Sequence, residues 1–479
     1  MKLSELMKGI TADIQNDKDI TSVAYDSRKV KSGSAFVCIK GFKTDGHEYA
    51  SQASQNGAAV IVAQDKINVP GVDVVYVEDT RKALAVMSGN FYGNPSKRFK
   101  LIGITGTNGK TTTTYLIKSI LEMAGQKVGL IGTNQNMIGD SVLPSEHTTP
   151  ESLELQELFY KMADCGADTV VMEVSSHSLV LNRVYGCDFD VGVFTNITQD
   201  HLDFHETMEN YLEAKKKLFA MSETAVVNID DPRGTSVVKA SSGRVITYGI
   251  DKSCDLQACD VRLSARGVIF DIVKKNIASD IRVQLAIPGK FSVYNALAAI
   301  GGARALGIDF DTIVKGLRVA KGVKGRAEVV PTNTDYTILI DYAHTPDGLY
   351  NIITTVREIA KGRVVTLFGC GGDRDKTKRP LMGEMAGKLS DFCIVTSDNP
   401  RSENPMSIIE DILPGINSTG CEYKVIENRK EAIEFAIENA QPDDMIILAG
   451  KGHETYQILA DKTIEFDERK IIHGLLDKR

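Results

Sequence analysis

Gly103 to Thr114 reads GITGTNGKTTTT, a glycine-rich turn followed at once by a lysine and a run of hydroxyls. Glycines let a backbone bend sharply and aim its N–H groups at an anion. A lysine adds a point charge for terminal phosphates, and the hydroxyl after it suits magnesium. Gly106, Thr107, Asn108, Gly109, Lys110, Thr111 and Thr112 are therefore the candidate nucleotide cradle, with Lys110 for the phosphates and Thr111 for the metal. A strict G-x-x-x-x-G-K-[ST] pattern would need glycine where this chain has Ile104, so the narrower order TGTNGKT carries the reading. The competing reading is a plain glycine turn with no ligand. Context weighs against it, because Lys100 to Thr105 reads as a buried strand and Thr112 to Ala124 has apolar residues at helical spacing.

Three further segments carry chemistry more weakly. TVVMEVSS, Thr169 to Ser176, is an apolar strand ending in Glu173, where a carboxylate can face a metal. TNITQDHLDFH, Thr195 to His205, sets His201 among acids and a second histidine, which ordinarily means hydrogen-bonded loop histidines. YLEAKKKLF, Tyr211 to Phe219, reads by itself as a helix with a solvated basic face, and SDNPR, Ser397 to Arg401, as a turn.

The elements that must hold these residues form an α/β protein in three parts. Residues 1–98 show short strand-like runs (Ala35 to Lys40, Ala58 to Ala63, Val74 to Val77) and predict a small mixed domain. Residues 99–325 alternate strand and helix as in a doubly wound sheet: Val128 to Gly132, Ser152 to Ala163 and Thr169 to Val174. Strand-rich sequence follows (Arg244 to Tyr248, Gly267 to Val273, Ile281 to Ile287), then the helical Val293 to Ala305. Residues 326–479 restart the alternation, with strands at Thr337 to Asp341, Val364 to Phe368, Phe392 to Thr396, Tyr423 to Ile426 and Met445 to Ala449, and predict a second, Rossmann-like unit with a mostly parallel sheet.

Composition excludes some classes. A formal net charge of -7 with no long basic run argues against nucleic acid as the main partner. No segment approaches the ~18 to 20 consecutive apolar residues that cross a bilayer, and MKLSELMKGITADIQ has no signal-type apolar core, so a soluble cytoplasmic protein with no membrane insertion is expected. The eight scattered cysteines read as reduced thiols; Cys254 and Cys259 lack zinc-site spacing.

Taken together, TGTNGKTTT, HTTP (His147 to Pro150), MEVSSH, TNITQDHLDFH, YLEAKKKLF, GKFSVYNALAA (Gly289 to Ala299), GRAE (Gly325 to Glu328) and DYAHTPDGL (Asp341 to Leu349) resemble the Mur ligase family in content and order over nearly the whole chain. These are ATP-dependent amide-bond ligases of peptidoglycan precursor synthesis. The resemblance implies three domains, for a UDP-sugar, for ATP, and a swinging one for an amino acid. It implies that Lys215 is carbamylated by carbon dioxide, that Thr111 and Glu173 hold one Mg2+, and that His201 and the Lys215 carbamate hold or orient another. It also places Asn295, Arg326 and Asp341 beside ATP.

The two ends indicate which ligase. VAYDSRKVKSGSAFVCIKG, Val23 to Gly41, resembles the UDP-binding domain of the tripeptide-forming member, with Ser27 at its ligand position, while Thr148, Thr149, Ser175 and Arg183 match contacts to the muramoyl dipeptide. Leu181 departs from relatives that have glutamine there. GCGGDRDKTKRPLM and DNPR resemble the members that add meso-diaminopimelate, with Arg374, Asp398, Asn399, Pro400, Arg401, Gly450 and Glu454 around the amino acid. A guanidinium fork suits that substrate's distal carboxylate, which L-lysine lacks. The implied activity is addition of meso-diaminopimelate to UDP-N-acetylmuramoyl-L-alanyl-D-glutamate through an acyl phosphate, by a monomer. A sibling adding L-lysine, a folylpolyglutamate synthetase-like ligase and a P-loop switch without ligase chemistry are the alternatives.

Overall fold

The computed structural model describes residues 1–41, 44–145, 147–264, 267–274 and 277–477. Its first sheet has four parallel strands in the order Ser22–Ala24, Ser34–Val37, Ala58–Ala63, Asp73–Tyr76. Helix Thr80–Phe91, capped by the Asp79 carboxylate, packs on it through Leu84 and Met87.

The central sheet is built around Lys100–Thr105, whose residues from Leu101 onward are buried. Such a continuous apolar run is what a parallel strand covered on both faces requires. Ile102 and Ile104 join one core cluster with Leu116, Ile117, Ile120 and Leu121 of helix Lys110–Met123. Leu101 faces the other, with Phe159 and Met162 of helix Ser152–Asp164. Gly103 has no room for a side chain, because a Cβ there would lie 2.7 Å from the Phe189 ring.

Strands Phe189–Phe194 and Thr169–Glu173 flank Lys100–Thr105 in parallel. Phe189–Phe194 was not apparent in the sequence, because Asp190 and Gly192 interrupt its apolar run. Asp190 accepts the Leu101 N–H at 2.8 Å, and a Cβ on Gly192 would lie 2.5 Å from Ser222 Oγ. Antiparallel strands extend both ends to eleven strands in all, from Ile277–Leu285 to Ser141–Leu143.

The third sheet runs Glu328–Val330, Thr337–Asp341, Met445–Ala449, Val364–Phe368, Phe392–Val395, Glu422–Val425, all parallel except the first. Core clusters cover both faces. Loops leaving the carboxyl ends of three adjacent strands carry Gly369 to Asp375, Thr396 to Arg401 and Gly450 to Glu454, the edge where open α/β sheets bind ligands.

Behind that edge Arg429 and Glu468, both fully buried, pair at 2.8 Å, and Arg429 Nη2 also donates to the Ala449 carbonyl at 2.9 Å. Arg429→Ala strands a buried carboxylate and is expected to cost about 3–5 kcal/mol. A urea titration with pulse proteolysis should show earlier unfolding of residues 326–477, whereas Lys470→Ala, which breaks the exposed pair with Glu465, should leave the midpoint unmoved. Equal midpoints for the two variants would contradict this weighting.

Candidate functional site

The nucleotide cradle follows strand Lys100–Thr105 and opens helix Lys110–Met123. Gly109 has φ +87°, and a Cβ there would lie 2.4 Å from Asn295 Oδ1; at Gly106 it would lie 1.9 Å from Thr195 Oγ1. Glycine is thus required at both positions, by a positive φ (+154° at Gly106) and by close approach. The loop is braced from Thr195 and Asn196: Thr107 N–H donates to the Asn196 carbonyl and Asn108 N–H to Asn196 Oδ1, both at 2.9 Å, while Thr195 Oγ1 donates to the Asn108 carbonyl at 2.6 Å. No side chain caps the helix, so its first-turn amides suit an anion. Thr111 and Thr112 are buried in that turn.

Lys110 Nζ folds over the loop, donating to the carbonyls of Gly106 at 2.9 Å and Thr107 at 2.8 Å. Lys215 Nζ donates to the same Gly106 carbonyl at 2.9 Å and lies 4.4 Å from the Tyr211 ring centroid. Burial, and then the Lys110 charge, push Lys215 well below the usual lysine range. Helix Met208–Ala220 buries Tyr211, Ala214, Lys215, Leu218 and Phe219, so Lys215 occupies the apolar stripe while Lys216 is half-buried and Lys217 exposed. That placement separates the three lysines and corrects the reading of a solvated basic face: Lys217 is exposed, but Lys215 is buried on the helix's apolar side.

Glu173 ends strand Thr169–Glu173, fully buried, its carboxylate accepting the Thr133 N–H at 2.9 Å and Thr133 Oγ1 at 3.0 Å. Gly132 permits this, since a Cβ there would lie 2.4 Å from Glu173 Oε1. Thr149 Oγ1 donates to the Glu173 carbonyl at 2.9 Å and accepts the Ser175 N–H at 3.0 Å. Arg183 Nη1 donates to the Thr149 carbonyl at 3.0 Å, and the Thr148 and Thr133 hydroxyls meet at 3.0 Å. Thr148, Thr149, Ser175 and Arg183 therefore gather around Glu173. Ser27 belongs to the first sheet's unit, where its hydroxyl donates to Gln52 Oε1 at 2.9 Å. Leu181, half-buried, is the C-cap of helix Ser176–Val180.

His201 takes the left-handed backbone at φ 55°, and its ring meets His177 edge-on at 4.8 Å between centroids. His205 is buried, with Nε2 2.8 Å from Ser176 Oγ; burial first, then the His177 and Lys215 charges, push it down to about 4. Burial first also pushes His201 down to about 4, so the His201 and His205 rings are neutral near neutral pH and add no charge beside the two lysines.

On the third sheet's carboxyl edge, Asp341 accepts the Ala327 N–H at 2.6 Å and the Ala343 N–H at 2.8 Å, fixing Arg326, whose guanidinium lies 4.6 Å from the Tyr342 ring centroid. Asn399 Nδ2 donates to Glu454 Oε2 at 2.9 Å, and fully buried Lys451 donates to both residues, at 3.1 and 3.0 Å. Arg401 Nη1 donates to the Gly372 carbonyl at 2.7 Å, Gly450 leaves room for the Asp398 carboxylate, and Arg374 is exposed. The loop that holds Asp398 to Arg401 also contains Pro400.

Asp347 joins the two edges: its Oδ2 accepts Asn108 Nδ2 at 2.6 Å and Thr198 Oγ1 at 2.8 Å. Arg326 and the nucleotide loop are thereby apposed in one arrangement. Sequence reasoning missed Asp347 and Lys451. Asp347 reads as an ordinary acid in the first turn of helix Pro346–Arg357, and Lys451 as a loop lysine. Membership of DYAHTPDGL was the available signal for Asp347, and the place of Lys451 between Gly450 and Glu454 for the other.

No helix among the described residues is long and apolar enough to cross a membrane. Residues 19–92 match the Mur ligase family catalytic domain, residues 104–303 the Mur ligase middle domain, and residues 325–452 the Mur ligase glutamate ligase domain. The chain is 55% identical over 480 residues, 99% of each chain, to a UDP-N-acetylmuramoyl-L-alanyl-D-glutamate--2,6-diaminopimelate ligase of Caldanaerobacter subterraneus subsp. tengcongensis. It is 52% identical over 484 residues, again 99% of each, to one of Clostridium botulinum. A solved structure titled as that same ligase aligns with TM-score 0.73 at 32% identity, covering 100% of this chain and 99% of its own. Sequence and fold agree over the full length, and the chain belongs to the Mur ligase family.

Proposed function

We propose that this protein is the ATP-dependent ligase that joins meso-diaminopimelate to UDP-N-acetylmuramoyl-L-alanyl-D-glutamate in cytoplasmic peptidoglycan precursor synthesis. Relatives of that name at up to 55% identity support it. The observation that carries it is the facing of two sheet edges, one bearing a phosphate cradle and the other an arginine-bearing DNPR loop, joined at Asp347. A P-loop switch needs no such second edge.

The substrate carboxylate attacks the γ-phosphorus of ATP and ADP departs. The diamino acid's amine then attacks the acyl carbon, loses a proton, and expels phosphate. In the first step this chain mainly holds anions in line and neutralises them. Lys110 does so by exchanging the Gly106 and Thr107 carbonyls for phosphate oxygens. Gly106, Thr107, Asn108, Gly109, Thr111 and Thr112 hold the phosphates by backbone and hydroxyl donors, and Asn295, Arg326 and Asp341 set the nucleotide's surroundings. Thr148, Thr149, Ser175 and Arg183 orient the dipeptide, and Ser27 serves the UDP end.

The donor set fits magnesium: the Thr111 hydroxyl is buried beside the phosphate turn, and the Glu173 carboxylate keeps lone pairs beyond its two Thr133 bonds. Thr111 and Glu173 would hold one ion, and His201 and carbamylated Lys215 a second. Lys215 fits carbon dioxide because a neutral buried amine is the form that captures it. When bound, the metal stabilises charge on the transferring phosphoryl group, and the carbamate supplies an anionic oxygen ligand.

Phosphate release dependent on ATP and UDP-N-acetylmuramoyl-L-alanyl-D-glutamate, across a panel of amino acids, tests the function. Meso-diaminopimelate should give the highest kcat/KM, and preference for L-lysine or glutamate would overturn the assignment. Lys215→Ala should lose at least about 100-fold in kcat and recover part of it with formate or acetate, which replace the missing oxygen. Lys216→Ala should stay near wild type; the reverse pattern would move the role to Lys216. Arg401→Ala should lower kcat/KM for meso-diaminopimelate roughly 30-fold or more while leaving L-lysine level or slightly better. An unchanged ratio would leave DNPR as a turn without a part in selection.

A further inference from the structure

The two loops that carry Arg374 and Arg401 are locked to each other. Gly372 N–H donates to the Asn399 carbonyl at 2.9 Å, Arg401 Nη1 returns to the Gly372 carbonyl at 2.7 Å, and the Ser402 hydroxyl donates to Asp373 Oδ1 at 2.7 Å. Asp373 and Arg401 both take the left-handed backbone, at φ 53° and 50°, which a non-glycine residue holds only where its surroundings impose it. A Cβ on Gly372 would lie 1.9 Å from the Pro400 carbonyl, so the loops approach as closely as backbones can.

Beneath them lies Arg379, its side chain 1% exposed, donating to both oxygens of Glu403 at 3.0 and 2.8 Å and to Asp411 Oδ2 at 2.8 Å. Glu403 Oε1 also accepts the Asp373 N–H at 2.6 Å. Arg379 sits on helix Lys378–Leu389 and Asp411 on helix Pro405–Asn417, which pack together as a rigid base. Glu403 ties that base to both loops: it precedes the second helix, its N–H donates to the Pro400 carbonyl at 3.0 Å, Lys376 Nζ lies 3.3 Å from its Oε2, and its carboxylate holds the residue just before Arg374.

We propose that Glu403, held by Arg379, is a positioning residue that sets Arg374 and Arg401 at the spacing a substrate's distal carboxylate requires, and so governs amino-acid affinity. This rests on the assignment of those arginines to the amino-acid site under the proposed function. A carboxylate serves because it has two oxygens: one bidentate pair with Arg379 still leaves a lone pair for the Asp373 N–H. Glutamine keeps one such oxygen but puts an NH2 where Oε2 meets Arg379 Nη1, donor against donor, so the bidentate anchor that holds Oε1 over the Asp373 N–H is lost.

The test compares Glu403→Gln with Asp411→Asn, which removes a charge from the same buried arginine without touching either loop. Glu403→Gln should raise KM for meso-diaminopimelate about ten-fold or more, with kcat and the KM values for ATP and the UDP-dipeptide within about two-fold. Asp411→Asn should leave all four constants near wild type. Ser402→Ala, which removes one loop-to-loop bond at an exposed site, should raise the same KM by about three-fold and carries the test if Glu403→Gln does not fold. An unchanged amino-acid KM, an equal rise in Asp411→Asn, or a parallel rise for all three substrates would overturn the proposal. Wild type assayed with the amino-acid panel separates this from failure of the functional reading: if another amino acid is preferred, that reading falls and the clamp is judged on the KM of the amino acid used.

Discussion

Two lysine side chains converge on the carbonyl oxygen of Gly106, Lys215 fully buried and Lys110 half-buried. Two ammonium groups on one neutral acceptor repel each other, and the burial of Lys215 leaves that repulsion weakly screened. The strain falls on the more deeply buried group, whose ammonium form is pushed well below the usual lysine range by burial and then by the Lys110 charge. Lys215 is held by a helix stripe and the Tyr211 face, whereas Lys110 has a long stem that can swing outward to an anion. Burial lowers Lys110 as well, but Glu173 and Asp200 oppose it, so Lys215 gives up its proton the more readily of the two; that difference suits the division proposed above, carbon dioxide on one and phosphate on the other.

The rest of the fold keeps that pair in place and brings a second reactant to it. The sheet delivers Gly106, Glu173 and Thr195 at the carboxyl ends of three adjacent strands, and Gly132 and Gly109 give way so that Glu173 and Asn295 can enter. The third sheet answers with its own carboxyl edge. Asp347 accepts from the glycine-rich loop and from Thr198 at one oxygen, so the third sheet's unit touches that loop and its brace at a single carboxylate. Arg326 is close enough for its charge to act on Lys110, as the proposed function requires.

Much of this was legible in the sequence where local pattern and tertiary role coincide. Lys100–Thr105, Ala58–Ala63, Thr337–Asp341, Val364–Phe368 and Met445–Ala449 lie where the apolar runs put them, since buried parallel strands write themselves as uninterrupted apolar sequence. The phosphate turn was legible because glycine is forced by geometry. Lys215 was legible only through the family resemblance, because three adjacent lysines read by themselves as a solvated basic face and burial of one of them is a tertiary effect. Lys451, Asp347, Arg379 and Glu403 were not, because their roles come from partners between 3 and 239 residues away and from burial, which charge alone argues against. The eleven-strand extent of the central sheet was hidden for a related reason: Leu256–Ser264 alternates buried and exposed residues, the mark of an edge hairpin, inside a unit otherwise read as parallel.

The most direct test of this account is carbon NMR of the protein equilibrated with isotopically labelled bicarbonate. The account predicts a single protein-bound carbamate resonance that is lost in Lys215→Ala, persists in Lys216→Ala and Lys217→Ala, and strengthens as pH rises and more of the amine is uncharged. Absence of the resonance in wild type, or its persistence in Lys215→Ala, would contradict it.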